Sequence, residues 1–297
     1  MSAHVTGHTG LLCLLGSPVA HSISPEMHNE ACRLLNLDYE YLAFDVPPEQ
    51  LETAVNGLRV MGVKGFNLTM PDKNKMAELC DQLSPAAKIC GAVNTVVNEN
   101  GVFTGYTTDG IGYMMSAKDA GCDLVGKRMV QLGAGGAGTA ILVQAAFDGV
   151  AAIDVFNTRD AFWPRVKHIV EQLNEQTSCK VTLHDLVDLE SLRSCIAQAD
   201  LLLNTTPVGM NRVPGCLIPD SSYFHPNLTV SDVIYEPQET ALLKMAREAG
   251  LKTFNGMYML LYQGAASFKL WTGLEMPTQA VKEKYFIHNL RVFKLKN

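Results

Sequence analysis

The chain has 297 residues, a length that suggests two domains at roughly 100–200 residues each. Its 47% hydrophobic and 18% charged residues are ordinary for a globular protein and exclude disordered, collagen-like and coiled-coil classes. Asp and Glu number 30 against 24 Lys and Arg, a net charge of −6 with no basic cluster, so neither nucleic acid nor an anionic membrane is an expected partner.

From the N-terminus, Leu11–Gly16, Tyr39–Phe44, Gly65–Leu68 and Ala92–Val97 read as strands. Pro25–Leu35 and Glu49–Met61 read as helices by their i, i+3, i+4 apolar spacing. This alternation implies an α/β domain with a mostly parallel sheet. The chain divides near Thr108–Gly112. Beyond that point, strands are expected at Arg128–Leu132, Ala152–Phe156, Lys180–Leu183, Asp200–Leu203, Leu228–Val233 and Lys252–Phe254. Helices are expected at Ala137–Phe147, Pro164–Asn174 and Thr240–Ala249. That is the rhythm of a Rossmann-type, doubly wound dinucleotide-binding domain. Met257–Thr272 and Pro277–Leu290 are helical in pattern and are expected to pack back on the first domain. The expected domains are thus residues 1–110 with 260–297, and residues 111–259.

Met129–Phe147 is an uncharged run of 19 residues, long enough to span a bilayer. Its four glycines and Gln131 and Gln144 fit a buried strand–turn–helix better. The N-terminal apolar run Leu11–Leu15 is too short for a secretory signal, so a cytoplasmic location is expected. The eight cysteines are scattered without C-x-x-C pairs or matching His spacing, which points to reduced thiols and to no metal.

Gly133-Ala134-Gly135-Gly136-Ala137-Gly138 satisfies G-x-G-x-x-G, follows a strand and opens a helix. The glycines allow a tight turn and close approach of a pyrophosphate, and the helix N-terminus aims N–H groups at the anion. The end of the next strand selects the ribose: a carboxylate holds a 2′-hydroxyl, an Arg a 2′-phosphate. Here Asn157-Thr158-Arg159-Asp160 is mixed, and NAD is preferred with NADP as the alternative.

Four polar clusters sit at strand ends or the loops beyond, where ligands bind in open α/β sheets. They are His21-Ser22-Ile23-Ser24-Pro25, Asn67 to Lys73, Gly91 to Thr95, and Gly105 to Asp109. Each has an ordinary alternative: Ser24 before Pro25 suits a helix cap, Thr69 and Asn94 suit turns, and Lys73 suits a solvated surface. Of His21 and His28, one reads as a packing and hydrogen-bonding residue. Met257 to Tyr262 reads as a buried helix face, and Cys90 as an inert thiol.

At these residues the sequence resembles the shikimate and quinate dehydrogenase family. The resemblance rests on Gly16 to Pro25 with His28-Asn29, on Asn67-Leu68-Thr69-Met70-Pro71 with Lys73, and on Ala92-Val93-Asn94-Thr95. It continues through Thr108-Asp109, Asn204 to Met210 and Gln263-Gly264-Ala265, in the family's order, and spans about residues 11 to 290. It implies that Ser22 and Ser24 hold the substrate carboxylate, and that Thr69, Asn94, Asp109, Tyr235 and Gln263 contact ring hydroxyls. Lys73 and Asp109 match the catalytic pair. The family's cofactor contacts fall on the Gly133–Gly138 loop, on Asn157, Thr158, Arg159 and Asp160, and on Val233 and Gly256. The selector departs from the Asn-Arg-Thr of biosynthetic enzymes. With Phe162, Tyr262-Gln263-Gly264 and Leu270 to Gly273, it looks like the branch that acts on quinate and shikimate and accepts NAD, whereas Pro207 is the biosynthetic-type residue.

The implied reaction moves a hydride between NAD(P) and a ring hydroxyl of shikimate or quinate, with the 3-dehydro acids as ketone partners. A free lysine amine titrates at about 10.4 and is a poor base at neutral pH, so positioning is expected to matter at least as much as basicity. Lys73 and Asp109 are expected to converge on one hydroxyl. The partner is a small molecule, with a homodimer left open. Two alternatives stand beside this reading: a non-catalytic NAD(P)-binding sensor, and a relative acting on another carboxylated ring alcohol.

Overall fold

Strand β1 (Gly10–Gly16) runs into helix α1 (Ser24–Leu34), where Pro25 in the first turn supplies a fixed φ at a position that needs no N–H partner. The computed structural model describes residues 5–69 and 71–287; Met70 and the expected helix end at 288–290 lie outside the described residues. Strand β2 (Tyr39–Asp45) follows, then a 3₁₀ turn at Pro48–Gln50 and α2 (Leu51–Val60). The adjacent Pro47 and Pro48 delay the α-helix that the apolar spacing starts at Glu49. Next come β3 (Gly65–Leu68), α3 (Lys73–Leu79), β4 (Gln82–Leu83) and α4 (Pro85–Cys90), the last capped by the Ser84 hydroxyl, which accepts from the Ala87 N–H.

Strands β5 (Thr95–Glu99) and β6 (Val102–Tyr106) form a hairpin. Its turn is Asn100-Gly101, with φ of 54° and 87°, the left-handed pair that a two-residue hairpin loop requires. β5 starts three residues later than the apolar pattern suggests. Asn94 diverts the chain there, because its side-chain oxygen accepts from the Thr108 N–H at 2.8 Å.

The second series runs α5 (Asp109–Asp119), β7 (Arg128–Leu132), α6 (Gly136–Phe147), β8 (Ala152–Asn157), α7 (Trp163–Gln176), β9 (Lys180–Asp185) and α8 (Leu189–Ile196). β10 (Leu201–Asn204), β11 (Thr229–Asp232), α9 (Ala241–Glu248) and β12 (Lys252–Phe254) complete it. Then follow α10 (Met257–Thr272) and α11 (Thr278–Val281), which passes into π-helical geometry over Lys282–Ile287. The chain clusters into two units, residues 1–108 with 261–297, and residues 109–260.

In the first unit the strand order is β2-β1-β3-β5-β6-β4. β1 is parallel to β2 and β3, and β4 to β6; β5 is antiparallel to both neighbours because a two-residue turn joins it to β6. One face buries Phe66, Phe103, Met76, Val55 and Leu58, with the two phenylalanine rings edge to face at 5.4 Å. The other buries Leu12, Leu14, Tyr41 and Val97 under Trp271 of α10. Trp271 donates to the Val96 carbonyl at 2.9 Å, and this approach is open only because residue 65 is glycine: a Cβ there would stand 2.2 Å from the indole nitrogen. At the β2 edge, Asn29 of α1 accepts from the Tyr41 N–H at 2.7 Å and donates to the Tyr41 carbonyl at 2.9 Å.

The second unit holds an all-parallel sheet in the order β12-β11-β10-β7-β8-β9. The chain steps outward from β7 in one direction and, from β10, in the other, which is the doubly wound order with its switch point between β7 and β10. Met129–Phe147 is the strand–turn–helix of β7 and α6, buried from Met129 through Ala146 except around the glycine turn and Gln144. Among the described residues no helix is long and apolar enough to cross a membrane.

Candidate active site

In the first unit hydrogen bonds tie four of the expected substrate residues into two groups, Ser22 with Ser24 and Asn94 with Gln263. Ser22 Oγ accepts from the Ser24 N–H at 3.2 Å. Tyr41 donates to Asn67 Oδ1 at 2.8 Å; burial pushes this phenol well above its usual range, so it stays a neutral donor. The Asn67 amide in turn donates to the Asn94 carbonyl at 3.0 Å, to Thr95 Oγ1 at 3.0 Å and to Ser267 Oγ at 3.1 Å. Asn94 carries the chain onward, donating to Thr108 Oγ1 at 3.0 Å and to Gln263 Oε1 at 3.4 Å. Buried amides cost free energy unless bonded, so a network this complete fixes each side chain's rotamer.

Thr69 and Lys73 join this group through the backbone. The Thr69 N–H donates to the Leu15 carbonyl at 3.0 Å, and the carbonyl of Lys73, first residue of α3, accepts from Val93 at 2.8 Å. Both side chains are half-buried, whereas Asp72 between them is buried and its carboxyl is pushed up by desolvation. Asp109, which opens α5, and Tyr235, in the loop after β11 with 48% of its surface exposed, belong to the second unit.

His28 packs as expected but does not hydrogen-bond. It is fully buried, stacked on Tyr41 at 4.4 Å, and neither ring nitrogen has a partner. Burial lowers it to about 3, so the folded protein holds it neutral while the unfolded chain takes up a proton near pH 6.5. Its contribution is therefore complete above about pH 6.5 and is lost as pH falls toward 3. Buried Asp232 works the other way: raised to about 6 by burial, it gains stability as pH falls from 6 toward 3.8. A difference measurement separates them. Between pH 7 and pH 5 the unfolding free energy of the wild type should fall relative to His28→Leu by about 2 kcal/mol, read by urea titration; a pH-independent difference would contradict the assignment.

In the second unit the glycine loop has the geometry a pyrophosphate needs. Gly133 has a φ of +90°, which only glycine adopts without strain, and a Cβ there would stand 2.7 Å from Thr206. A Cβ on Gly138 would meet Thr205 Oγ1 at 2.4 Å, so α6 is pressed onto the end of β10. Gly135 and Gly136 face open space, with nothing within 4 Å of a Cβ on either, at the N-terminus of the 12-residue helix α6. This bare turn ahead of a helix dipole fits a dinucleotide. Gln131 holds the turn from below, donating to the carbonyls of Gly133 at 2.8 Å and Gly138 at 2.9 Å.

Asn157 is committed to the loop: its side-chain oxygen accepts from the Ala134 N–H at 3.0 Å and its amide donates to the Thr158 carbonyl at 3.0 Å. Beyond it, Asp160 accepts from Thr158 Oγ1 and from the Phe162 N–H, both at 2.8 Å, and these bonds hold its carboxyl below the usual range. Arg159 lies 2.7 Å from Asp185 and over the Trp163 ring at 4.9 Å. Val233 and Gly256 are in backbone contact: a Cβ on Gly256 would stand 1.9 Å from the Val233 carbonyl oxygen.

Tyr41 and Ser267, outside the expected clusters, and Asn67, which lay in one without an assigned role, organise the first unit's network. Ser267 had a readable signal, since it lies four residues after Gln263 on the same helix; it donates to the Gln263 carbonyl at 3.0 Å. Tyr41 had none, because its partner Asn67 is 26 residues away.

A family model for the shikimate dehydrogenase substrate binding domain matches residues 14–96, and one for the shikimate 5'-dehydrogenase C-terminal domain matches residues 256–284. The chain is 48% identical to a shikimate dehydrogenase (NADP(+)) of Listeria monocytogenes over 287 residues, covering 96% of this chain and 99% of the relative. A solved shikimate 5-dehydrogenase from Listeria monocytogenes, in complex with shikimate and NAD, superposes with a TM-score of 0.92 at 48% identity, covering 96% and 99% of the two chains. A quinate dehydrogenase from Corynebacterium glutamicum in complex with NAD gives a TM-score of 0.82 at 30% identity, over 94% and 99%.

Proposed function

The chain belongs to the shikimate dehydrogenase family, and from that premise we propose that it is an NAD(P)-dependent oxidoreductase acting on the ring hydroxyl of shikimate, with quinate as a second substrate. The observation that carries the reading is the hydrogen-bonded network Tyr41–Asn67–Asn94–Gln263, which holds a phenol and three amides in fixed orientations beside β3 and β5. A small carboxylated polyol needs many oriented donors and acceptors and no large apolar wall.

In this reading Ser22 and Ser24 hold the carboxylate, while Thr69, Asn94, Tyr235 and Gln263 bind ring hydroxyls. Lys73 takes the proton of the reacting hydroxyl and returns it in the reverse direction; Asp109 orients that hydroxyl. The loop Gly133–Gly138, Asn157–Asp160, Val233 and Gly256 hold the dinucleotide, whose nicotinamide exchanges the hydride when bound. The residues' own contribution is orientation and one proton, which is why rigid second-row amides matter.

NAD is the proposed cofactor. Arg159 is engaged by Asp185, and the ionised Asp160 carboxylate would repel a 2′-phosphate. The scattered cysteines of the sequence, without a C-x-x-C pair, support a reducing, cytoplasmic setting.

Initial rates with shikimate and quinate crossed against NAD and NADP test the proposal. Turnover should be highest with shikimate and NAD, and Ser22→Ala should raise the Michaelis constant for either acid by about tenfold with turnover little changed. No oxidation of either acid would overturn the activity; a preference for NADP would overturn the cofactor assignment alone.

A further inference from the structure

The sequence offers no metal-ligand spacing, yet the fold assembles one group that spacing could not reveal. Asp154 lies on β8, and on β9 His184 pairs with Phe156, whose ring stacks on the imidazole at 4.6 Å. His184 Nε2 is 2.8 Å from Asp154 Oδ1. Helix α8 brings Cys195 to the same place, so that a carboxylate oxygen, an imidazole nitrogen and the thiol sulfur all lie within 4.8 Å of one another. Asp154 and His184 are 14% and 21% exposed, enough for an ion to enter from solvent and too little for free rotation.

We propose that Asp154, His184 and Cys195 form a binding site for one borderline divalent cation of the zinc or cobalt class, completed by water. One thiolate, one imidazole and one carboxylate match that class, whereas magnesium and calcium take oxygen ligands. Tetrahedral bonds of about 2.0–2.3 Å place ligand atoms roughly 3–4 Å apart, so the Asp154–His184 pair opens slightly from 2.8 Å while the thiol closes from no more than 4.8 Å. Binding replaces the thiol proton, which leaves to solvent, and the +2 ion is balanced by one carboxylate and one thiolate. Two charged neighbours face the group: Arg128 lies 3.8 Å from Asp154 Oδ2, and Asp188 acts on both His184 and Cys195. Their opposite charges leave that balance intact, and competition from Arg128 for Asp154 makes the site weaker than a four-ligand structural zinc site.

The test uses the full chain, stripped of metal and kept reduced with a phosphine, titrated with Co²⁺ and followed by absorption. One equivalent should bind with a thiolate-to-cobalt charge-transfer band that Zn²⁺ displaces. Cys195→Ser should abolish the band and weaken Zn²⁺ binding by about tenfold or more, and His184→Gln should weaken it similarly. Absence of the band, or its survival in Cys195→Ser, overturns the proposal. Zn²⁺ should also slow alkylation of Cys195 in the wild type, read by mass spectrometry; an unchanged rate overturns the proposal without requiring any variant to fold.

Discussion

Lys73→Met is expected to lower turnover by about 10²- to 10⁴-fold, the range of general acid–base catalysis, with dinucleotide affinity unchanged. Methionine keeps the half-buried stem of the side chain and removes only the amine, so the change reads proton transfer rather than packing. α3 begins at residue 73, and its backbone is tied to Val93 through a carbonyl that no side-chain substitution alters. Stopped-flow single turnover separates the hydride step from product release. A single-turnover rate within about fivefold of the wild type would remove Lys73 from the chemistry and leave it a binding residue at most.

The second large effect separates packing from ligand contact on one loop. Gly138→Ala should lower stability by about 1–3 kcal/mol, because the new methyl would stand 2.4 Å from Thr205 Oγ1 and 2.8 Å from the Gly133 carbonyl. Gly135→Val should leave stability nearly unchanged: nothing lies within 4 Å of its Cβ, and its φ of −71° suits any residue. It should nonetheless weaken dinucleotide binding by about tenfold or more, since the open space it fills is the proposed approach of the pyrophosphate. Denaturation curves and fluorescence titration on the same preparations decide between these outcomes. Unchanged affinity in Gly135→Val would mean that the open turn faces no ligand.

The strand and helix pattern of the second unit was legible because its apolar runs are short, β-branched and separated by helical spacing. Lys252–Phe254 and Met257–Thr272 coincide with their expected spans. The short elements α3, α4 and α8 were not legible: each is eight residues or fewer, so their periodicity is brief; Ser84 caps α4 and Asp188 caps α8, while α3 has no side-chain cap. The β5–β6 hairpin did carry a signal, Asn100-Gly101 between apolar pairs, which the helix–strand alternation masked. Among the proposed site residues, Ser24, Asn94 and Gln263 stood out through motif context. Asn157 shows the limit of that kind of reading, because only coordinates reveal that its amide is turned onto the loop backbone. The Asp154–His184–Cys195 group lies beyond any linear reading, since its members are 30 and 11 residues apart and meet only through the pairing of β8 with β9 and the placement of α8.

Asn29 gives the β2 margin a property that its composition withholds. The strand is seven residues long with no Lys or Pro, and Leu42 and Phe44 are partly exposed, features that favour recruitment of a foreign strand. By filling the donor and acceptor of Tyr41 midway along, one amide side chain interrupts the ladder a second chain would need. One helix residue thus occupies backbone groups on the sheet's margin that an added strand would need.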